Sequence, residues 1–203
     1  MNNIAKAIAL SATLIAGSGA AQAAPADTNV AFNKAVTLSG TFYDNPAGWT
    51  GSNGAAPASI TDGIFTANQQ QWNVGTVWWN TGYTNNYIQI DLGGLFNINR
   101  LTLQADNNDT YRVSYLDQAN SWVNLIDMNP PDAWGMTTVT NTLPQSILAR
   151  GFRISDGPSG DCCNSVSEFQ AFGVAAVPEP ETYGMLLAGA GIMGAILRRR
   201  RIV

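Results

Sequence analysis

The side chains able to do chemistry in this 203-residue sequence are defined first by an absence, because there is no histidine. That removes the usual general base, the Ser-His and Cys-His nucleophile systems and the commonest zinc ligand. A carboxylate-only hydrolase needs two acids held at a set separation, and the spacing of the acids singles out no such pair. The reading is of a protein that binds and does not catalyse. The two cysteines, Cys162 and Cys163, are sequence neighbours. In an oxidising compartment they are not expected to stay free thiols by default. A vicinal disulfide shaping one loop, two free thiols and a bond to a second chain are the alternatives.

Binding chemistry gathers between Asp44 and Asn86, a long stretch rich in Gly, Asn and Thr that carries Trp49, Trp72, Trp78 and Trp79. A stretch of this length without a regular pattern reads as a functional loop. Sugars are held by aromatic faces against their C–H surfaces, with a few fixed polar groups. Trp78, Trp79 and Tyr83, with Arg112 or Arg153 nearby, make a candidate sugar site. The competing reading gives the tryptophans to core packing, and pairs each arginine with an acid.

The elements that must position these residues are strands. Tyr87-Ile-Gln-Ile-Asp-Leu92 alternates, with Ile88, Ile90 and Leu92 on one face. Leu101–Ala105 and Tyr111–Tyr115 repeat that period of two, and 122–126, 137–143, 152–154 and 169–172 supply further short strands. Turn formers separate them at Gly93-Gly94, Asp106-Asn-Asn-Asp109, Asn129-Pro-Pro-Asp132 and Asp156-Gly-Pro-Ser-Gly160. The fold expected is all-β, a sandwich or jelly roll.

The two ends carry addresses. Residues 1–23 hold one positive charge, a short apolar core and the small-residue sequence Ala21-Gln-Ala23, which together read as a secretory signal peptide. At the other end, residues 177–203 run Val177-Pro-Glu-Pro-Glu-Thr-Tyr183, an uncharged stretch over 183–197, then four arginines. The arginine cluster orients that segment with its end in the cytoplasm. At 15 residues it is shorter than the ~17–25 of a comfortable span, which suits a temporary stop.

Between the two ends, one domain over 24–176 keeps five basic and twelve acidic residues, a charge near −7 against −4 for the whole chain. A surface this acidic, without a basic run, repels nucleic acid.

Pro178-Glu179-Pro180, the apolar stretch and the arginine cluster, in that order, resemble a PEP-CTERM sorting signal, a tail also labelled the ice-binding protein C-terminal domain. The resemblance implies processing by an exosortase-type membrane enzyme and transient membrane insertion through 183–197. It also implies residence at the cell surface or in the extracellular matrix.

Within the domain, Asn29-Val-Ala-Phe-Asn-Lys-Ala-Val36, the Asp62-Gly63 turn, Tyr87-Ile-Gln-Ile-Asp-Leu-Gly93, Arg150-Gly-Phe-Arg-Ile154 and Val166-Ser-Glu-Phe-Gln-Ala-Phe-Gly173 follow one another in the order seen in discoidin domains, the coagulation factor V/VIII C type. That resemblance implies a galactose-binding-like jelly-roll sandwich and a non-catalytic module, most readily for carbohydrate such as exopolysaccharide. A structural matrix or biofilm protein without a small ligand is the alternative. The resemblance further implies a structural calcium ion, held by Asp62 and Glu168 with Thr66 beside them. The inserted Asn68-Gln-Gln-Gln71 is a departure that puts the form of that calcium loop in question.

Overall fold

The computed structural model describes residues 27–43, 53–81, 85–131, 134–176, 184 and 186–193. Its strands are β1 (Thr28–Asn29), β2 (Ala35–Ser39), β3 (Asn53–Gly54), β4 (Val74–Asn80), β5 (Tyr87–Asp106), β6 (Tyr111–Leu116), β7 (Trp122–Met128), β8 (Met136–Asp156) and β9 (Cys163–Ala175). A 3₁₀ turn over Pro57–Thr61 precedes β4. A short helix includes residues 186–193. Among the described residues no helix is long and apolar enough to cross a membrane.

The hydrogen-bonded order β3-β4-β9-β5-β8-β6-β7 is continuous, with β2 on β5 and β1 on β9. It folds into two layers because β5 and β8 each cross from one to the other. The first part of β5 pairs with β2 and with the end of β8. Its second part pairs with β9 and with the beginning of β8.

The crossing needs a change of face. Ile88, Ile90 and Leu92 point inward on even numbers, whereas Leu101, Leu103 and Ala105 point inward on odd ones. A one-residue slip at 98–100, where two steps along β5 match one along β9, makes the exchange. An extra residue in one strand turns every later side chain to the opposite face. The two halves then face each other across a core in which Phe152 and Phe169 meet with ring centroids 5.2 Å apart. Gly93-Gly94, a turn by sequence, instead lies inside the bent β5.

The largest difference from the sequence reading falls in 44–86. This stretch holds β3, the 3₁₀ turn and β4, and Trp78 and Trp79 belong to β4. The inserted Gln69 and Gln70 pin it to β8 through paired main-chain bonds with Met136, at 2.8 and 2.9 Å.

Thr28 faces Gly173 near one pole, while Asn80 faces Cys163 at the other. The connections after β4, β5 and β8 therefore lie at the pole away from Ala175, separated from it by about 40 Å of strand at ~3.3 Å per residue.

Candidate functional site

That far pole is tied together by two buried side chains. Tyr111 opens β6, and its hydroxyl accepts the amides of Asp106 (3.2 Å) and Ser165 (3.0 Å), joining the end of β5 to the start of β9. Complete burial pushes its ionisation well above the usual tyrosine range. Trp79 packs edge-on against Tyr111 and donates its indole N–H to Asp156 Oδ1.

The loops above are laced as tightly. Thr110 N–H donates to the Ser159 carbonyl, and Gly157 N–H to the Thr110 carbonyl. Asp161 N–H donates to Asp109 Oδ1 at 3.0 Å, and Asn108 Nδ2 to Asp161 Oδ2 at 2.6 Å. Thr81 donates its amide to the Cys162 carbonyl and its hydroxyl to the Asp161 carbonyl. Cys162 and Cys163 are joined as a vicinal disulfide, one of the three alternatives left open by sequence.

Inside this frame lies a pocket of about 250 Å³, lined by Thr81, Asp156, residues 157–160, Asp161 and Asn164. Its chemistry is that of acceptors. Asn164 is 1 % exposed, and its Oδ1 has no hydrogen-bond partner among the described residues. Burial holds Asp156 above the ordinary carboxylate range, and the bond from Trp79 offsets part of that. Behind the pocket, burial raises Asp106 to about 6 and Asp109 to about 7, and the charge of Asp161 adds to both.

The candidate sugar residues do not assemble as expected. Trp78 and Trp79 are both fully buried, which corrects their reading as a sugar platform. Neighbours in a strand face opposite ways, so Trp79 enters the core against Phe42 and Tyr111 while Trp78 is covered by Tyr43 and Trp72. Arg112 forms a two-pronged ion pair with Asp127 across β6 and β7, at 3.0 and 3.3 Å. Arg153 donates to Gln89 and stacks between the rings of Tyr87 and Trp122, about 4 Å from each. Tyr83 and the Pro178-Glu179-Pro180 motif lie outside the described residues. Of the pocket residues, 156–160 had been read as a turn, and Thr81, Asp161 and Asn164 had not been singled out. The two acidic turns 106–109 and 156–160 were the available signal.

Asp62, Glu168 and Thr66 are brought to one side of the fold. Asp62 Oδ1 accepts the Ile64 amide at 2.8 Å, and Gly63, at φ +81°, donates its amide to Glu168 Oε2 at 3.3 Å. Glu168 is fully buried. Burial, with a smaller contribution from the Asp62 charge, raises it to about 7, against the opposing bonds from Gln170 and Gly63. Thr66 is held by Gln104, the residue opposite Glu168 in the ladder. The Asp62 charge acts on Glu168, and neither carboxylate has a cationic partner in the bonds described. An all-oxygen set of that kind fits calcium.

The architecture is a two-layer, mainly antiparallel β sandwich carrying a polar site on the loops at one pole. The family model for the F5/8 type C domain matches residues 35–169, and the chain belongs to that family. The model for the PEP-CTERM protein-sorting motif matches 176–201. That motif implies export, exosortase processing and display at the cell surface. No curated protein matches the chain.

Among solved structures, a Streptococcus pneumoniae fucose binding module is similar at 16% identity and a TM-score of 0.51, over 72% of this chain and 95% of that one. The lectin binding domain of lectinolysin, in a His 62 mutant complexed with Lewis b, is similar at 19% identity and 0.52, over 74% and 100%. These likenesses establish the galactose-binding-like fold.

Proposed function

We propose that this protein is an exported, surface-sorted, non-catalytic module that binds neutral carbohydrate, such as exopolysaccharide, in the pocket at the far pole. The observation that carries this reading is the pocket wall itself, which Asp156, Asp161 and Asn164 line together with Thr81 and Ser159. Such a set takes hydroxyl donors and turns away anions, and sugar hydroxyls supply those donors. The volume suits one small ring, being below the ~300–1,000 Å³ of drug-sized sites.

Two further facts support it. The fold relatives include modules whose titles name fucose and Lewis b. The chain also leaves toward the sorting tail at the opposite pole, so the pocket points away from whatever the tail is joined to. In the same reading Asp62 and Glu168, with Thr66 beside them, hold a structural calcium ion that fixes the loop bearing Ile64 and Phe65. The span 183–197 serves as a transient membrane stop before processing.

A glycan array followed by calorimetry tests the proposal. Binding lost in Asn164→Ala and Asp161→Ala and kept in Arg112→Ala supports it. If the wild-type protein ignores every glycan, with and without calcium, the carbohydrate reading fails.

A further inference from the structure

One layer of the sandwich is built from β2, the first part of β5, the end of β8, β6 and β7, and its outer face carries a polar row. Thr37, Gln89, Arg153, Ser114 and Asn124 are successive ladder partners across these five strands. Their strand neighbours Ile88, Ile90, Val113 and Ile154 are fully buried. Neighbours in a strand face opposite ways, so the row points away from the core, with Arg153 at its centre.

The Arg153 guanidinium is fixed without being used up. Its carbon lies 4.1 Å from the centre of the Tyr87 ring and 4.0 Å from that of Trp122. Its Nε donates to Gln89 Oε1 at 2.9 Å, whereas its two terminal nitrogens have no hydrogen-bond partner among the described residues and are open to solvent. An arginine can only donate, so it takes the oxygen of Gln89 and leaves the amide nitrogen free beside it. Asn124 has its Oδ1 engaged by the Ser114 hydroxyl in the same way. The row therefore offers donors.

It also offers charge. Arg112, in the adjoining row, is matched by Asp127, and that is the only ion pair among the described residues. Arg153 has no such acid. Of the carboxylates in the rows on either side, Asp127 is held by Arg112 and Asp91 accepts the Gly93 amide. A domain with a large excess of acids thus leaves this cation without a counter-charge.

We propose that this face binds the carboxylate of an acidic sugar residue, received by the Arg153 fork with the Gln89 amide nitrogen beside it. A planar guanidinium with parallel N–H groups meets a planar carboxylate by two bonds at once. The two rings already hold the side chain in place, so little freedom is lost on binding. The net charge of the domain restricts the ligand further. Salt screens charges beyond about 8–10 Å, so a glycan with one acid in each repeating unit reaches the fork while its other charges stay outside that range. A densely charged polyanion is repelled. The site lies on a sheet face and not at the pole, and it stands whether or not the pole pocket takes a glycan.

The protein is titrated with the disaccharide of glucuronate β-1,4-linked to glucose, with cellobiose as the neutral counterpart. Binding is read from the Arg153 Nε–H resonance, assigned by its loss in Arg153→Gln. The uronate is expected to move that resonance, to bind at least tenfold more tightly than cellobiose and to weaken as salt is raised. Gln89→Glu supplies an internal acid of the kind that Asp127 gives Arg112. It is expected to cut uronate affinity at least tenfold in a protein that melts no lower than wild type, and Arg153→Gln is expected to cut affinity as far. No binding of the uronate, or affinity equal to that of cellobiose, overturns the proposal, as does uronate binding that survives both substitutions. Tighter binding of cellobiose 6′-sulfate than of the uronate overturns the assignment to a carboxylate.

Discussion

Asparagine in place of Asp109 has an effect whose sign depends on pH. The native carboxyl is raised to about 7 by burial and by the negative charges of Asp161, Asp106 and Asp156, partly relieved by the Asp161 amide. Tyr111, buried and neutral, faces the same group from β6. In the unfolded chain the group ionises near its ordinary value of 3.8. Below about pH 4 both states hold the proton and the group costs nothing. As pH rises toward 7 the unfolded state releases its proton first, so native stability falls, and above 7 the loss is constant.

A shift of roughly three pH units corresponds to about 4 kcal/mol at 1.36 kcal/mol per unit. Water penetration and relaxation reduce the effective figure to about 2 kcal/mol. Asparagine carries no proton to lose and keeps the acceptor for Asp161. In chelator, Asp109→Asn is therefore expected to match wild type at pH 4 and to melt about 4–8 °C higher at pH 8. Thermal melts followed by circular dichroism across that range measure it. A variant less stable than wild type at pH 8, or a difference independent of pH, refutes the reasoning.

Glu168, raised to about 7 and fully buried, follows the same rule. In chelator at pH 8, Glu168→Gln should be no less stable than wild type. In the same variant the rise in melting temperature produced by calcium should shrink. Phe152→Ala removes one of the two rings that meet between the layers and is expected to cost about 3–5 kcal/mol in denaturant unfolding. Gly135 has φ +74°, and a Cβ there would come within 2.3 Å of the Gln70 carbonyl oxygen. Gly135→Ala should cost about 2 kcal/mol, read the same way, and should loosen the Gln69–Gln70 pairing with Met136.

The strands at 87–92, 101–105 and 111–115 were legible because apolar and polar residue types alternate along each, even in 101–105 where Thr102 and Gln104 are buried as well. The joining of 87–92 and 101–105 into one bent β5 was not legible. The slip at 98–100 swaps faces at a single Asn99, which by itself signals no break in a strand, and Gly93-Gly94 looks like an ordinary turn. β4 was hidden for another reason. Its two tryptophans are buried on opposite sides, Trp79 by the core and Trp78 by Tyr43 and Trp72. With apolar residues on both faces, β4 has no alternation to read.

By itself the sequence determined the chemistry that is ruled out, the all-β class, the family and the sorting signal, since these rest on residue types and on order along the chain. Only the tertiary structure decided where binding is possible. It buried the tryptophans that look exposed by composition, and it engaged Arg112 and Arg153 with their own neighbours. It also drew Asp109, Asp156, Asp161 and Asn164 from three separate strand ends to one pole. Residues 50 positions apart meet there because antiparallel pairing returns the chain to the same edge, and no local pattern records that return.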